Sequence, residues 1–217
     1  MNQFSSLQPM CYLFDGQNEE HWTLDLSDQN ANFVNSETCQ NQHLLNEYIL
    51  QQLKKENKKW GVASYLESRA GLLKKYPQMV QENRVLHLGL DIILPAGTQL
   101  YTPFDGTIQE SFYEEGAGNY GGCILIKHKT HNDHFYALYG HLKADTLPAP
   151  QSTLKAGDCF GKVGDFPENG GWFHHTHLQI LTEKAYQNGW IHRGYCRRDE
   201  QATLDKFCPD PNFMLKK

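Results

Sequence analysis

The sequence predicts a mainly β fold, in which a small antiparallel β-sheet domain follows a short helical N-terminal extension. From residue 84 onward, short runs rich in β-branched and aromatic residues are separated by glycine-rich turns, which is typical of antiparallel strands. Residues 1 to about 80 carry little strand signal and hold the clearest helical periodicity of the chain. We therefore divide the chain into an extension, residues 1–80, and a β domain, residues 81–217.

Two helices are predicted in the extension. In residues 41–59, apolar side chains recur at helical spacing while Gln, Glu and Lys fill the other face. The apolar positions are Leu44, Leu45, Tyr48, Ile49 and Leu53. A second, shorter helix is predicted over residues 62–76, where Pro77 would end it. Residues 188–217 are predicted to be irregular and to pack back on the sheet.

The first predicted strand of the β domain carries a histidine and an aspartate. Residues 84–94 are rich in aliphatic and β-branched side chains. Side chains alternate along a strand, so His87, Gly89 and Asp91 would share one face. Glycine at the middle position leaves open the space that a bound ion would need.

Two further predicted strands carry the other histidines of interest. Residues 134–142 predict a strand with His141 near its end, and residues 175–181 predict one in which His175 and His177 share a face. Three strands from distant parts of the chain can thus converge on one site.

The residue types fit a catalytic zinc site better than a structural one. Catalytic zinc takes three protein ligands and keeps one position open for water, whereas a structural site is closed by four. Two imidazoles and a carboxylate supply three ligands, and two histidines remain to move protons. Spacing alone leaves open which histidines bind the ion, because His175 and His177 could both reach it.

In these motifs the chain resembles the lysostaphin-type zinc metallopeptidases, the M23 family. That family's pattern is His-x-x-x-Asp, then aromatic-x-His-Leu, then His-x-His, and all three parts stand intact here. The resemblance covers roughly residues 84–181. The stretch after residue 165 looks closer to a subgroup found fused to aminotransferase and phosphotransferase domains.

The resemblance implies a role for each histidine. His87, Asp91 and His177 would ligate one zinc ion per chain, while His141 and His175 would be catalytic without binding it. The implied activity is endopeptidase-like hydrolysis of a peptide bond by a metal-activated water, assisted by the two free histidines. Which of the two is the general base stays open.

Two other functions fit the same sequence. The fused subgroup, whose neighbouring domains handle amino compounds, suggests a zinc hydrolase of a small amide or modified amino acid. Relatives that have lost zinc ligands suggest a binding or activating module without enzymatic activity, although the complete ligand set argues against it. The substrate expected from the resemblance is a peptide or a peptidoglycan-derived compound.

Composition and the first residues narrow the partners and the location. The net charge is -5 without a long basic run, so neither nucleic acid nor an anionic membrane is an expected partner. The first residues lack a basic start and an apolar stretch, and the six cysteines form no Cys-x-x-Cys pair. We therefore expect a cytoplasmic protein with reduced thiols that acts on soluble substrates.

Several residues near the motifs are not expected to take part. The histidines without a matching motif are His128, His131, His134 and His174. Trp172 and Asn169 precede the last motif and could line a substrate groove or shape a tight turn. The nearby prolines and glycines favour the turn.

Overall fold

The computed structural model describes residues 3–131 and 133–216. As predicted, the fold is mainly β, with mostly antiparallel pairing. The strands are β1 (Trp22–Leu24), β2 (Gly61–Ala63), β3 (Arg84–His87), β4 (Leu90–Ile93), β5 (Gln99–Tyr101), β6 (Gly106–Glu114), β7 (Gly121–Lys129), β8 (His134–Leu142), β9 (Thr153–Leu154), β10 (Cys159–Lys162), β11 (Thr176–Leu181) and β12 (Tyr195–Arg197).

Helices are short apart from one in the N-terminal part. The α-helices are α1 (Ala31–Val34), α2 (Glu37–Gln40), α3 (Gln42–Lys55), α4 (Pro77–Gln81) and α5 (Glu183–Gln187). Short 3-10 segments span Leu72–Lys75, Ala144–Thr146, Trp190–His192, Arg198–Lys206 and Pro211–Met214. In the part of the chain that the structure describes, no helix has the length and apolar character needed to cross a membrane.

The large sheet has the strand order β1-β2-β4-β11-β8-β7-β6-β9. Strands β1 and β2 run parallel, and the remaining neighbours in this sheet are antiparallel. Two smaller antiparallel pairs join β10 to β5 and β12 to β3. Strands β4, β11 and β8 therefore lie side by side near the middle of the large sheet.

Both faces of the large sheet are buried. Along β8, Ala137 and Tyr139 belong to one apolar core, while Tyr136 and Leu138 belong to another. Because alternate side chains of a strand point to opposite faces, the two cores lie on opposite sides of the sheet. Side chains at the ends of β8 and β11 are thus held by packed layers above and below.

The predicted strand over residues 84–94 is wrong as a single element. The chain leaves β3 after His87, bends at Gly89 and enters β4 at Leu90. β3 pairs with β12, whereas β4 pairs with β2 and β11 in the large sheet. Glycine is needed at this bend because a Cβ there would lie 2.6 Å from His177 Cε1.

The longer predicted helix is confirmed as α3. Its N-terminus is capped by Asn41, whose Oδ1 accepts from the backbone N–H groups of His43 and Leu44 at 3.0 and 3.3 Å. The helix ends at Lys55 rather than at residue 59, and Asn57 adopts a left-handed φ of 53° just beyond it. A left-handed residue at this place commonly terminates a helix.

The second predicted helix, over residues 62–76, is wrong. Its first residues form β2, which pairs with β1 and β4, and its last residues form the 3-10 segment Leu72–Lys75. Pro77 begins α4 instead of ending a helix, because proline is tolerated at a first helical position where the missing N–H is not needed. The extension therefore contributes two strands to the large sheet, contrary to its weak strand signal, and the division at residue 80 stays a prediction.

Candidate metal centre

His87, Asp91 and His177 form a compact group of donor atoms. His87 is the last residue of β3, and Asp91 and His177 are cross-strand neighbours in β4 and β11. His87 Nε2 lies 3.0 Å from His177 Nδ1, and Asp91 Oδ1 lies 3.1 Å from each of these nitrogens. The side chains are at most 3% exposed, so the three donors face one another in a nearly equilateral triangle away from bulk solvent.

In His87 and His177, the ring nitrogen that points away from the triangle is held by an oxygen acceptor. His87 Nδ1 donates to the Ser64 carbonyl at 3.2 Å, and His177 Nε2 donates to Gln179 Oε1 at 3.0 Å. Because a neutral imidazole carries a single N–H, a proton on the nitrogen that faces the carbonyl or amide oxygen leaves a lone pair on the nitrogen inside the triangle, as a metal ligand must have.

The imidazoles of His141 and His175 lie beside the triangle, and each also has one nitrogen held by an oxygen acceptor. His141 Nδ1 donates to the Asn169 carbonyl at 2.9 Å, and His175 Nδ1 donates to the Phe173 carbonyl at 2.7 Å. Their ring centroids are 4.4 Å apart, and His175 Nε2 lies 3.4 Å from Asp91 Oδ1. In both neutral rings the proton on Nδ1 leaves Nε2 with a lone pair that can accept a proton, and in His175 this nitrogen faces Asp91.

The backbone of His141 is held in an uncommon conformation. Its φ is 61°, in the left-handed region that costs energy for residues other than glycine. Its N–H donates to the Tyr120 carbonyl at 2.7 Å, and its own carbonyl accepts from Gly164 N–H at 2.8 Å. These two bonds hold the end of β8 in this conformation and help to set where the imidazole lies.

The second oxygen of Asp91 is bound by a buried arginine. Arg69 Nη1 donates to Asp91 Oδ2 at 2.6 Å, and Arg69 Nε donates to Glu67 Oε2 at 2.9 Å. Burial alone would raise the pKa of Asp91, but the ion pair with the Arg69 cation outweighs burial and helps to hold that pKa well below its usual value. Asp91 is consequently an ionised acceptor at neutral pH.

The histidines are held neutral for related reasons. Burial and the nearby Arg69 cation lower the pKa of His87 to about 3. Burial, followed by the charges that His175 and His177 could carry, holds the pKa of His141 well below its ordinary value. At neutral pH both rings are thus in the form that can bind a metal or accept a proton.

The donor set suits a small divalent ion. Ligand atoms bound at 2.0–2.1 Å around a tetrahedral zinc ion lie roughly 3.3 Å apart, close to the 3.0 and 3.1 Å seen here. Neutral imidazole and carboxylate are ligands that zinc accepts. Gly89 adds room, since a Cβ there would lie 2.8 Å from His177 Nε2 and push that ring away.

Three of the histidines without a motif contact oxygen atoms away from the donor triangle. His128 Nδ1 donates to the Asp105 carbonyl at 3.0 Å, His134 Nε2 contacts Glu183 Oε2 at 2.6 Å, and His174 Nε2 contacts Asp165 Oδ1 at 2.8 Å. None of these three joins the donor triangle.

The turn interpretation is right for Asn169 and wrong for Trp172. Asn169 Oδ1 accepts from Gly171 N–H at 3.0 Å and its Nδ2 donates to the Trp172 carbonyl at 2.7 Å, so its side chain shapes the turn. The Trp172 ring lies 6.1 Å from the His141 ring and lines a cavity. Proline and glycine spacing indicated the turn but carried no information on where the indole would point.

Sequence reasoning also missed two residues that hold the site. Gln179 lies two residues after His177 in β11, so the same alternation that pairs His175 with His177 could have found it. Arg69 left no comparable signal, because it reaches Asp91 from a segment 22 residues earlier that belongs to no strand or helix.

A cavity of about 510 Å³ opens over the site, and we call it the groove. His141 and His177 lie at its floor. Its walls come from residues 75–79 at the start of α4, from Arg84 in β3 and from residues 114–120 between β6 and β7. Trp172, before β11, and residues 192–195, at the start of β12, complete them. The wall residues are Lys75, Tyr76, Pro77, Gln78, Met79, Arg84, Glu114, Ala117, Gly118, Asn119, Tyr120, Trp172, His192, Gly194 and Tyr195.

Known proteins share features with the site-bearing part of this chain. A curated relative, the peptidoglycan DD-endopeptidase ShyC of Vibrio cholerae serotype O1, is 26% identical over 102 residues. That match covers 47% of this chain and 22% of the relative, so the chain spans about a fifth of the relative's length.

Solved structures give distant matches. The catalytic domain of lysostaphin from Staphylococcus simulans is 20% identical, with 55% of this chain and 80% of that chain covered and a TM-score of 0.40. A zinc-containing peptidase from Vibrio cholerae is 23% identical, with 45% of this chain and 28% of that chain covered and a TM-score of 0.36.

The family comparison falls on the residues of the site. Residues 85–189 match peptidase family M23, and this range includes the four histidines and the aspartate of the site. Arg69 and the groove residues 75–79 and 84 lie before it. The likeness to the subgroup fused to other enzyme domains stays a prediction. Together, the family match and the curated relative support peptidase family M23 for residues 85–189 of this chain.

Proposed function

We propose that this protein is a zinc-dependent peptidase that hydrolyses a peptide bond in the groove. The observation that carries the proposal is the state of four imidazoles. Each has one nitrogen held by a backbone carbonyl or amide oxygen, and each turns its other nitrogen toward the centre of the site. A passive binding module would have no need for two such rings beyond those that hold an ion.

In this proposal His87, Asp91 and His177 hold one zinc ion per chain. When bound there, zinc would polarise the scissile carbonyl and lower the pKa of a water molecule to about 7. Ser64 and Gln179 would keep the two imidazoles oriented, and Arg69 would keep Asp91 ionised and in place. Such supporting bonds around metal ligands commonly affect metal affinity.

His141 and His175 would move protons. Each can accept a proton at Nε2 while its Nδ1–H bond to a backbone carbonyl keeps the ring in place. A ring that has accepted a proton from water can pass it to the leaving amine, as general acid–base catalysis requires.

For the substrate, we propose a soluble peptide of the peptidoglycan type in a reducing compartment such as the cytoplasm. The curated relative is a peptidoglycan endopeptidase, which supports the substrate class. The six cysteines are free thiols, as is usual in reducing compartments. The net charge of -5 gives no general attraction to an anionic wall polymer.

The test compares soluble muropeptides with labelled intact sacculi, using zinc-loaded and chelator-treated protein. We expect zinc-dependent cleavage of the muropeptides and little release of label from sacculi. Efficient solubilisation of sacculi, together with native protein outside the cytoplasmic fraction, would refute the proposed substrate and location. Inactivity of the zinc-loaded protein on all peptides would refute the peptidase itself.

A further inference from the structure

The charged residues of the groove are mostly neutralised by neighbours. Arg84 Nε donates to Glu82 Oε2 at 2.7 Å. Glu114 contacts His192 Nδ1 at 2.5 Å and also accepts from Tyr120 N–H at 3.5 Å. The wall formed by β3 and the wall formed by the β6–β7 loop therefore hold charges that already have partners.

Lys75 is different. Its Nζ lies 5.2 Å from the Tyr76 ring centroid and 5.4 Å from that of Trp172. Among residues 3–131 and 133–216, no carboxylate forms an ion pair with it. Aromatic faces hold an ammonium in position but leave its remaining N–H groups free to donate. The groove thus contains a positioned cation that lacks an anionic partner in the described chain.

The Lys75 ammonium lies near the reacting centre. Both the ammonium and His141 lie beside Trp172: the Trp172 ring centroid is 5.4 Å from the ammonium and 6.1 Å from the His141 ring centroid. The two distances together set the greatest possible separation between the ammonium and the His141 ring. An extended peptide spans about 3.3–3.6 Å per residue, so about three residues cover that separation.

We propose that Lys75 binds a carboxylate of the substrate, at most about three residues from the scissile bond. This inference rests on the proposed peptidase function and adds a substrate class, peptides with a free carboxylate close to the cleaved bond. The carboxylate would accept from Lys75 Nζ while the Tyr76 and Trp172 rings support the ammonium from the other side. Lys75 is then a specificity residue, separate from the groups that hold the metal or move protons.

The experiment uses soluble muropeptides with free carboxylates and the same compounds with these carboxylates converted to amides. KM and kcat are measured for the zinc-loaded wild type and for Lys75→Met, Lys75→Arg and Lys74→Met. Lys74 is a matched control, because it is the adjacent lysine but its Nζ donates to Asn35 Oδ1 at 3.4 Å, outside the groove.

We expect the wild type to favour the free-carboxylate form by about three- to ten-fold in KM, the size of a partly exposed charge contact, with little change in kcat. Lys75→Met should abolish the preference, while Lys75→Arg and Lys74→Met should retain it. Raised salt should weaken the preference, since exposed charges are screened. Equal KM values for both forms with wild type and Lys75→Met would overturn the inference.

A second measurement separates this inference from the peptidase proposal. Binding of both muropeptide forms to zinc-free protein is followed by calorimetry, where no cleavage occurs. If the zinc-loaded protein cleaves neither form, the peptidase proposal fails, yet carboxylate-dependent binding that Lys75→Met removes would still support the subsite. Equal binding of both forms, or no binding of the free-carboxylate form, would overturn it.

Discussion

The two oxygens of the Asp91 carboxylate have different partners, because Oδ2 binds the Arg69 cation and Oδ1 faces the two histidines of the donor triangle. Arg69 Nη1 binds Oδ2 at 2.6 Å, while Oδ1 lies 3.1 Å from His87 Nε2 and 3.1 Å from His177 Nδ1. The arginine is 1% exposed and also binds Glu67. Its guanidinium therefore fixes which oxygen of Asp91 faces the histidines.

Replacing Arg69 should chiefly weaken zinc binding. Residues that orient metal ligands typically change metal affinity by about 10- to 100-fold, and we expect a loss of that size for Arg69→Lys. Lysine keeps the charge but lacks the planar fork that serves Asp91 and Glu67 together. The measurement is competition for zinc with a chromogenic chelator.

Folding must be checked in the same variants, because an unpaired buried carboxylate destabilises a protein. Glu67→Gln is the matched control: it removes the negative charge of the other partner of Arg69 and leaves the bond to Asp91 in place. Far-UV circular dichroism and urea unfolding then show whether the variants are native. Native Arg69→Lys protein with wild-type zinc affinity would contradict the orienting role.

The three triangle residues should each be required for the metal. We expect one zinc per chain in the wild type and less than a tenth of that in His87→Ala, Asp91→Ala and His177→Ala. His174→Ala is the control, since its imidazole contacts Asp165 near the surface. Zinc content after dialysis against a weak chelator decides the matter, and full occupancy in all three variants would show that the ion binds elsewhere.

His141→Ala and His175→Ala should keep zinc and lose hydrolysis. General acid–base groups contribute roughly 100- to 10,000-fold, so kcat should fall by that range while metal content stays at one per chain. Loss of zinc in His175→Ala would instead identify His175 as a ligand, consistent with its 3.4 Å contact to Asp91. Activity near that of the wild type would remove the replaced residue from the mechanism.

The sequence predicted the side chains that come together more accurately than it predicted the strands and bends that bring them together. Alternation along residues 134–142 and 175–181 holds in β8 and the residues leading into β11, because both strands are buried on two faces and their register is strongly constrained. Local alternation failed at residues 84–94, where β3 pairs with the distant β12 and the chain bends at Gly89.

Long-range pairing explains the other failures as well. Gly61–Ala63 is strand because β1 and β4 flank it, and three residues are too few to show a periodicity of their own. The Arg69–Asp91 bond joins residues 22 positions apart and depends on residues 66–69 lying alongside β3, where Arg69 N–H donates to the Val85 carbonyl. No spacing rule connects an arginine in an irregular segment to a carboxylate in a later strand.

All six cysteines should react with an alkylating reagent after denaturation without a reductant. Cys39, Cys123, Cys196 and Cys208 are buried free thiols, and burial raises the pKa of Cys123 well above its usual value, which makes it unreactive in the native state. Mass spectrometry of native and denatured samples counts the modified thiols. Protection of two cysteines in the denatured sample would show a disulfide and speak against a reducing compartment.

His128 should make the fold sensitive to acid. Its side chain is fully buried against Phe104 and Phe135, and its Nε2 has no hydrogen-bond partner among the described residues. Burial lowers its pKa from 6.5 to about 4. The unfolded chain therefore binds a proton at this residue before the folded protein does, and stability that is fully present above pH 6.5 is lost as the pH falls toward 4.

The expected size of this effect follows from the pKa difference between the two states. It corresponds to about 3 kcal/mol in the free energy of unfolding between pH 7 and pH 4. His128→Asn cannot titrate but keeps an N–H donor for the Asp105 carbonyl, so it should be less stable than the wild type at pH 7 and lose less stability on acidification. Urea unfolding from pH 7 to pH 4 measures both curves. All other ionisable groups are the same in both proteins, so their contribution cancels in the difference. Parallel curves would mean that the pKa of His128 is the same in the folded and the unfolded protein, which would contradict the burial argument.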